Sequence, residues 1–277
     1  MTALAPLPIA DLLRRHGLRP RKSLGQNFLI DEGALGRIVT AAALTTSDSV
    51  LEIGPGLGSL TRHLAIAARD VVAVELDQTL LPALTEVVAP HPNVRVIHGD
   101  ILALDPAVLV ADADYKVVAN IPYYITSAVI RHLLEARRRP TVIVLTIQRE
   151  VAERLSAAPG DLSLLAVSVQ AYARAEVVAR IPAGAFYPRP DVDSSVVRLT
   201  ALPQPVFGEL DAERFFRVVK AGFSQKRKQL RNALSAGLSR PAQAVDAWLN
   251  AAGVDPKRRA ETLTLAEWTT LTRLEGK

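Results

Sequence analysis

Short apolar runs rich in β-branched residues alternate with longer stretches of helical periodicity over residues 49–148. The apolar positions in these runs are continuous rather than alternating, which is typical of parallel strands buried on both faces. Such strands, alternating with helices, predict a Rossmann-like α/β fold with a mostly parallel, doubly wound sheet. The predicted strands are SVLEIG, DVVAVEL, VRVIHGD, YKVVANIP and TVIVLTIQ.

Two further strand-like runs, AEVVARI and VDSSVVRLTAL, follow a helical stretch around residues 163–172. A proline-rich loop over residues 181–190 separates the two runs. Their β-branched composition is that of strands, and we expect both to complete the sheet.

The pattern changes near residues 203–205, and the sequence beyond them reads as helices. The last helix begins with a predicted capping box, in which Thr264 is the N-cap and Glu267 lies three residues later. We therefore predict a sheet domain over residues 1–206 and a small all-helical domain over residues 207–277. The first three helices of the small domain are predicted over residues 212–223, 227–238 and 241–252.

The composition excludes several classes of protein. The chain of 277 residues has no cysteine, so disulfides and thiolate metal sites are excluded. Its five histidines lie apart, without the spacing or acidic partner of a zinc motif, and we predict no metal. Charges interrupt every apolar stretch before it could span a bilayer, and the N-terminus has no apolar signal core. We expect a soluble, cytoplasmic monomer with no membrane partner.

A modest excess of positive charge indicates a polyanionic partner. Lysine and arginine number 33 against 28 acidic residues, which gives a formal net charge of +5. Each basic cluster by itself is more often a solvated face than a contact. The clusters lie at residues 19–22, 137–139, 226–231 and 257–259.

The run NIPYYI, residues 120–125, places a carboxamide, a proline and two tyrosines where an apolar strand ends. The proline lacks an N–H and biases Ile121 toward extended backbone, which leaves nearby carbonyl groups free to accept hydrogen bonds. Asn120 adds a side-chain acceptor, and Tyr123 offers a face for stacking. These groups suit a flat ring with an exocyclic amine, such as adenine. The alternative is ordinary loop punctuation, with the tyrosines capping the core.

Three glycines, Gly54, Gly56 and Gly58, follow the first predicted strand and lead into a helix. Glycines at this position let the backbone turn tightly and approach a ligand closely. A dinucleotide fingerprint would place its third glycine at Ser59, so this register does not suit a pyrophosphate. An ordinary tight turn between strand and helix is the alternative.

Polar residues also end the next three predicted strands, at Glu75, Asp100 and Asn120. Ligands bind at the carboxyl ends of the strands in open α/β sheets. A carboxylate there can accept hydrogen bonds from ribose hydroxyls or from an adenine amine. Acidic groups suit a cationic nucleoside without phosphates, so we predict S-adenosylmethionine rather than NAD. The Gly-Asp pair that contains Asp100 is also a frequent turn sequence.

Seven motifs, taken in order along the chain, resemble those of one family. They are RKSLGQNFLID, LEIGPGLG, VVAVELD, GDIL, NIPYYI, AFYPRPDVDSSVVRL and FSQKRKQLRNAL. The chain resembles the ribosomal RNA adenine dimethyltransferases, and within them the bacterial members that act on the small subunit. The resemblance implies a class I S-adenosylmethionine-dependent methyltransferase. Its expected product is N6,N6-dimethyladenosine at two adjacent adenines in a hairpin near the 3′ end of 16S rRNA.

The resemblance also assigns residues to the cofactor. Glu75 is expected to bind the ribose and Asp100 the cofactor adenine, with Asn120 between cofactor and substrate. Asn27 and Leu29 of the QNFL motif are assigned to the cofactor pocket only by the resemblance, because the composition of this segment is that of an ordinary loop. The full expected set is Asn27, Leu29, Gly54, Gly56, Glu75, Asp100 and Asn120.

The expected chemistry is the methylation of a weak nucleophile. The lone pair of an adenine N6 amine is conjugated into the ring, so the enzyme must hold the amine and let it become pyramidal. The Asn120 side chain and the Ile121 carbonyl can accept its two hydrogens, and no strong general base is required. Tyr123 is one candidate face for a flipped base, and the resemblance implies Phe186 as another. For Phe186 the alternative is a core residue ahead of a strand.

Clustered cations are the candidates for RNA contacts, because phosphate contacts need little besides positive charge. One group adjoins the QNFL motif, and the other is expected to open a helix of the small domain. The candidates are Arg21, Lys22, Lys226, Arg227, Lys228 and Arg231.

Three alternatives to a small-subunit enzyme remain open at this point. An antibiotic-resistance methyltransferase of large-subunit rRNA would share NIPY and the cofactor pocket, although SLGQNFL and FSQKRKQLRNAL favour the small-subunit branch. A non-catalytic ribosome-assembly or transcription factor is disfavoured by the complete set of acceptors. A small-molecule methyltransferase is disfavoured by the basic clusters and the helical tail.

Overall fold

The computed structural model describes residues 4–112 and 114–275. The chain divides into two compact units. The sheet unit comprises the described residues up to Ala152 together with Ala175–Ala201, and the helical unit comprises Glu153–Arg174 and the described residues from Leu202 onward. The domain limits predicted from the sequence, 1–206 and 207–277, stay a prediction, because compactness does not test whether a segment folds independently.

The strands account for the predicted sheet. Their bounds are β1 Phe28–Leu29, β2 Ser49–Ile53, β3 Asp70–Glu75, β4 Val94–His98, β5 Lys116–Asn120, β6 Val142–Gln148, β7 Ala173–Ile181, β8 Phe186–Tyr187 and β9 Ser194–Ala201. Seven of them form one sheet in the order β4-β3-β2-β5-β6-β9-β7, while β1 and β8 pair with each other. The pairs β2–β3, β3–β4, β2–β5 and β5–β6 are parallel, and β9 runs antiparallel to β6. The predicted mostly parallel, Rossmann-like sheet is confirmed.

Helices connect and cover the strands of the sheet unit, and further helices form the helical unit. Their bounds are α1 Ile9–Arg15, α2 Glu32–Ala42, α3 Ser59–Ala67, α4 Leu81–Val88, α5 Pro106–Leu109, α6 Thr126–Leu134, α7 Arg149–Leu155, α8 Leu164–Gln170, α9 Ala212–Phe223, α10 Leu230–Leu238, α11 Ala242–Ala251 and α12 Leu265–Leu274. Polar caps explain several of their first residues, because a capping oxygen satisfies an N–H that has no partner within the helix. Asp31 caps α2 through the Ala34 N–H. Thr264 and Glu267 form the predicted capping box of α12, with both of its hydrogen bonds present.

One predicted helix begins later than the sequence pattern indicated. The helix expected from residue 227 begins at Leu230, and Lys226, Arg227 and Lys228 lie in the turn before it. Three cations in a first helical turn would face the positive end of the helix dipole, which disfavours helix at these positions. The N-cap residue Gln229 has extended backbone. The expectation that these cations open the helix is therefore wrong, and they occupy an exposed turn.

The core of the sheet unit lies where α2 and α3 pack on the sheet. Val50 of β2, Val118 of β5 and Val144 of β6 are fully buried and belong to one hydrophobic cluster with Ile38 and Leu64 of the two helices. Helices on both faces of a parallel sheet explain why its strands are continuous apolar runs.

The strand order reverses beside β2, and this reversal locates the site. From β2, the chain adds β3 and β4 on one side and β5 and β6 on the other. Connections that leave in opposite directions open a crevice between the carboxyl ends of the two central strands. Gly54 directly follows β2, and Asn120 is the last residue of β5. The two motifs therefore meet at the crevice.

The close crossing of α9 and α10 predicts that Gly237→Ala destabilises the helical unit. A Cβ at Gly237 would lie 2.7 Å from the Ala221 Cα and 3.0 Å from its carbonyl oxygen, both backbone atoms that cannot move aside without shifting the helix. Alanine normally stabilises a helix relative to glycine by about 1 kcal/mol, whereas overpacking costs about 1–3 kcal/mol. We expect a lower midpoint of thermal unfolding, measured by circular dichroism.

Gly36→Ala in α2 is the matched control. No described heavy atom outside its own helix and chain neighbours lies within 4 Å of a Cβ at this exposed position. This variant is expected to be as stable as the parent protein or slightly more stable. Equal behaviour of the two variants would contradict the assignment of the Gly237 contact.

Candidate active site

One cavity in the sheet unit lies at the carboxyl ends of β2, β3 and β5. The space between its walls amounts to about 1090 Å³, part of which is open to solvent. The residues predicted for the cofactor and for the target base all line this one cavity. They are Asn27, Leu29, Gly54, Gly56, Glu75, Asp100, Asn120, Ile121, Tyr123 and Phe186. Their individual roles stay predictions.

The glycine loop after β2 has a backbone that side chains would disturb. Gly56 has φ +61°, and a Cβ there would lie 3.1 Å from two atoms of the Phe28 ring. Gly58 has φ +87°, and a Cβ there would lie 2.9 Å from Val87 Cγ1. Both positions combine a left-handed backbone with a close neighbour, so glycine is required on two grounds.

Glu75 ends β3 and holds this loop. Its Oε2 accepts a hydrogen bond from the Gly56 N–H at 2.9 Å, and its Oε1 accepts one from the Asp77 N–H at 2.8 Å. Burial raises the pKa of this carboxyl above its usual range, while the backbone N–H groups act in the opposite direction. The carboxylate is thus fixed in place, and each oxygen keeps a lone pair that can accept from a ligand hydroxyl.

Asn120 is oriented by the segment that carries the QNFL motif. Its Nδ2 donates a hydrogen bond to the Asn27 carbonyl oxygen at 3.3 Å. With the amide nitrogen committed to this bond, the amide oxygen is the end that can accept from a substrate amine. The neighbouring Ile121 is 3% exposed and lines the cavity, and Pro122 after it has φ −57° and ψ 136°. The role of the Ile121 carbonyl as an acceptor stays a prediction.

The two predicted faces for a base are both held in place. The Tyr123 hydroxyl forms a hydrogen bond with Ser194 Oγ at 2.8 Å, and burial raises the pKa of that tyrosine. Phe186 is buried in the core cluster around α2 and also lines the cavity. The two alternatives for Phe186 are therefore compatible, since one side chain serves the core and the cavity wall.

A short ladder joins two motifs that lie far apart in the sequence. In the antiparallel pair β1–β8, Phe28 is opposite Tyr187 and Leu29 is opposite Phe186. The Ile30 N–H extends this ladder by donating to the Ala185 carbonyl at 2.9 Å. QNFL and FYPRP thus form neighbouring parts of the cavity wall.

The cations predicted to contact RNA are found in different settings. Arg21 is half exposed and forms an ion pair with Asp77, with 3.2 Å between Nη1 and Oδ1. Lys22 is exposed in a 3₁₀ turn. In the helical unit, Arg231 pairs with Asp246 at 3.1 Å, whereas Lys226, Arg227 and Lys228 lie in the exposed turn before α10. Their contacts with RNA stay a prediction.

Two acidic residues of the site were missed by the sequence analysis. Glu52 lies inside β2, is 1% exposed and lines the cavity, and its Oε2 has no hydrogen-bond partner among the described residues. Its signal was a charge within an otherwise apolar strand, SVLEIG. Asp77 binds the side chains of Arg21, which precedes the QNFL motif, and of Gln26, the first residue of that motif. Its only sequence signal was its place two residues after Glu75.

The comparisons with known proteins agree with this geometry. The model of the family described as ribosomal RNA adenine dimethylase matches residues 17–274. The chain belongs to the ribosomal RNA adenine dimethylase family. The family predicted from the motifs is therefore confirmed.

Relatives of this adenine dimethylase are known by name and by structure. A curated relative from Dehalococcoides mccartyi, named ribosomal RNA small subunit methyltransferase A, is 49% identical and covers 93% of this chain and 89% of its own length. A solved dimethyladenosine transferase from Plasmodium falciparum has a TM-score of 0.74 at 26% identity, covering 88% of this chain and 95% of its own. The solved 23S rRNA methyltransferase ErmE has a TM-score of 0.71 at 31% identity, covering 91% and 100%.

Two other kinds of feature are absent from the part of the dimethylase that the structure describes. Within residues 4–112 and 114–275, no group of three or more histidine or acidic side chains is arranged to hold a metal ion. No helix in that part of the chain is long and apolar enough to cross a membrane.

Burial of Glu52 predicts a pH dependence of stability. Burial, with a smaller effect of the charge on Glu75, raises the pKa of Glu52 to about 8. The unfolded chain loses this proton near pH 4.3, so between about pH 4.3 and about pH 8 the folded state binds more protons and stability falls as pH rises. Glu52→Gln, which is neutral and similar in shape, should remove this slope.

The measurement is the free energy of unfolding in urea at about pH 5.5 and about pH 7.5. The parent protein should lose roughly 2–3 kcal/mol relative to Glu52→Gln over this interval. Glu86→Gln is the control, because Glu86 is exposed and its partners Arg15 and His16 lower its pKa, which keeps its own titration below the interval. A parallel pH profile of Glu52→Gln and the parent would show that Glu52 is ionised in the folded state.

Proposed function

We propose that the protein transfers methyl groups from S-adenosylmethionine to the N6 amines of two adjacent adenines in small-subunit rRNA, giving N6,N6-dimethyladenosine. The observation that carries the proposal is the meeting of two acceptor groups in one cavity. Glu75 stands at the glycine loop after β2, and the oriented amide of Asn120 stands at the end of β5. A donor site and an amine site at neighbouring strand ends suit a group transfer between two bound molecules.

The donor side fits a nucleoside that carries a positive charge and no phosphate. The Glu75 carboxylate has lone pairs for two ribose hydroxyls, Asp100 stands at the next strand end, and the glycine register does not suit a pyrophosphate. Asn27, Leu29 and Gly54 complete the wall on this side. S-adenosylmethionine supplies an electrophilic methyl group on a sulfonium when bound.

The amine side explains how a weak nucleophile attacks. The Asn120 oxygen and the Ile121 carbonyl accept the two N6 hydrogens, which favours the pyramidal geometry that frees the lone pair. A bound methyl donor would supply the methyl carbon to this nitrogen, and the electron pair of the broken carbon–sulfur bond would stay on sulfur. The surplus proton on the product nitrogen leaves through the same acceptors or to water, so no strong base is needed.

The adenine ring must leave its stack to reach this cavity. Tyr123, fixed by Ser194, and Phe186, fixed in the core, supply the faces that hold a flipped base. The first methylation leaves one hydrogen on N6, which one acceptor can still bind. The same cavity therefore accepts the monomethylated base again.

Similarity favours the small subunit as the substrate. The relative named for the small subunit is 49% identical, whereas the 23S rRNA methyltransferase ErmE is 31% identical. The large-subunit reaction is the second candidate, because ErmE shares the fold over 91% of this chain. The monomeric state and the cytoplasmic location stay predictions.

Asn120→Ala tests the amine site. Loss of an oriented acceptor that acts in the transition state should lower turnover by roughly 10²–10³-fold while the protein stays folded. The assay combines labelled S-adenosylmethionine with small subunits that lack the modification, with large subunits in parallel, and the digested rRNA is analysed by mass spectrometry.

Asn93→Ala is the matched control for this variant. Asn93 also donates its Nδ2 to a backbone carbonyl, that of Ala65 at 2.8 Å, but it does not line the cavity. It should lower stability and leave turnover per folded molecule unchanged. Dimethyladenosine only in the large subunit would contradict the proposed substrate, and no product in either subunit would favour an assembly factor.

Neutralising the exposed turn before α10 tests the RNA contacts. If Lys226 and Lys228 contact phosphates, Lys226→Ala/Lys228→Ala should lessen the salt dependence of rRNA binding by roughly 0.7–0.9 in log–log slope for each contact. Arg14→Ala/Arg15→Ala removes the same charge from α1, where Asp11 and Glu86 already pair with these arginines. An equal change of slope in both variants would mean that net charge alone determines the binding.

A further inference from the structure

Residues 21–29 form one wall of the cavity and are here called the strap. The strap contributes every residue from Leu24 to Leu29 to the cavity lining. Its far end is held by the β1–β8 ladder, through Phe28 and Leu29. The near end, residues 21–26, depends on other contacts.

Asp77 holds that near end. Its Oδ1 accepts from Arg21 Nη1 at 3.2 Å, and its Oδ2 accepts from Gln26 Nε2 at 2.7 Å. Thr79 fixes the carboxylate from behind, with its N–H at 3.0 Å and its Oγ1 at 2.7 Å from Oδ1. The Asp77 side chain is only 3% exposed, so these charge-assisted bonds are shielded from water.

Gln26 connects Asp77 to the backbone of the strap. Its Oε1 accepts from the Arg21 N–H at 2.8 Å while its Nε2 binds Asp77, so one side-chain amide closes the turn and ties it down. Gly25 lies between Arg21 and Gln26 in the sequence and has φ +61°. A Cβ at this position would lie 2.9 Å from Pro122 Cβ of the NIPYYI motif. The turn is therefore seated against the amine side of the cavity.

The next strap residue, Asn27, contacts the amide of Asn120. The Asn27 carbonyl accepts the Asn120 Nδ2 hydrogen, which orients the amide proposed to bind the target amine. In the other direction, the Asp77 N–H donates to Glu75, which also binds the glycine loop through Gly56. Asp77 is thus joined to Glu75 by one hydrogen bond, and to the Asn120 amide through its bond with Gln26 and the backbone of the neighbouring Asn27.

We propose that Asp77 is a positioning residue for methyl transfer. It holds the strap so that the methyl donor is enclosed and Asn120 presents its oxygen to the amine. The proposal rests on the proposed function. Asp77 does not itself touch the reacting atoms in this arrangement. It acts through Gln26 and Asn27 on the amine side and through Glu75 on the donor side.

Exchanging donor and acceptor between Asp77 and Gln26 provides the test. In Asp77→Asn we expect the side-chain oxygen to keep the place of Oδ1, which accepts from Arg21 and from two groups of Thr79, so that the new NH2 group faces Gln26 Nε2. Gln26→Glu places a carboxylate against the Asp77 carboxylate, so each single change breaks the contact. The double change Asp77→Asn/Gln26→Glu restores one donor and one acceptor, and the new carboxylate still accepts from the Arg21 N–H. We expect each single variant to bind S-adenosylmethionine about tenfold more weakly and to turn over more slowly, and the double variant to recover most of both.

Asp48→Asn is the matched control. Asp48 accepts from the same kinds of group, namely the Thr45 N–H at 2.6 Å, the Thr45 hydroxyl at 2.9 Å and Lys116 Nζ at 3.0 Å, and it does not line the cavity. It should lower stability about as much as Asp77→Asn without changing donor affinity or turnover of the folded enzyme.

The affinity for S-adenosylmethionine is measured by calorimetry without RNA. This test is therefore independent of the test of the proposed function. Absence of methylated product with the parent protein would overturn the proposed function, while the calorimetric comparison would still decide the role of Asp77. Recovery in the double variant supports the positioning role. Unchanged affinity in Asp77→Asn, or no recovery in the double variant, would overturn it.

Discussion

The reversal of strand order beside β2 is the constraint on which the rest of the structure depends. Parallel strands need crossover connections, and connections that leave a central strand in opposite directions separate at its carboxyl end. The glycine loop after β2 and the NIPYYI motif after β5 are thereby brought to the same opening. The proposed sites for the methyl donor and for the amine are adjacent because β2 and β5 are hydrogen-bonded neighbours.

The acidic residues at this opening differ in the hydrogen bonds that their carboxyl groups accept. Glu75 and Asp77 are buried but accept hydrogen bonds from backbone N–H groups or from side chains, so they can serve as fixed acceptors. Glu52 lies one strand away, deep in β2, and burial instead raises its pKa to about 8. The carboxylates that can stay ionised beside a ligand are therefore the ones held by hydrogen bonds.

Much of the site could be predicted from the residues themselves. Continuous apolar runs indicated the parallel sheet, and the glycine loop after the first strand indicated Gly54. Polar groups at successive strand ends indicated Glu75, Asp100 and Asn120, because the carboxyl ends of parallel strands meet at one edge of the sheet. Asn27 has no such pattern, since its contribution is a backbone carbonyl, and only the family resemblance pointed to it. The start of α10 was predicted three residues too early because hydrophobic periodicity carries no information about charges repelled by the helix dipole.

The sequence by itself determined the fold class, the family and the types of group in the cavity, because strand periodicity and motif order are local properties of the chain. Only the tertiary structure decided which distant residues meet. Leu29 pairs with Phe186 across a two-stranded ladder, and Asp77 binds Gln26 at a separation of 51 residues. Hydrogen bonds depend on distance and direction in space, which the packing of the sheet and its loops sets, so spacing along the chain does not reveal them.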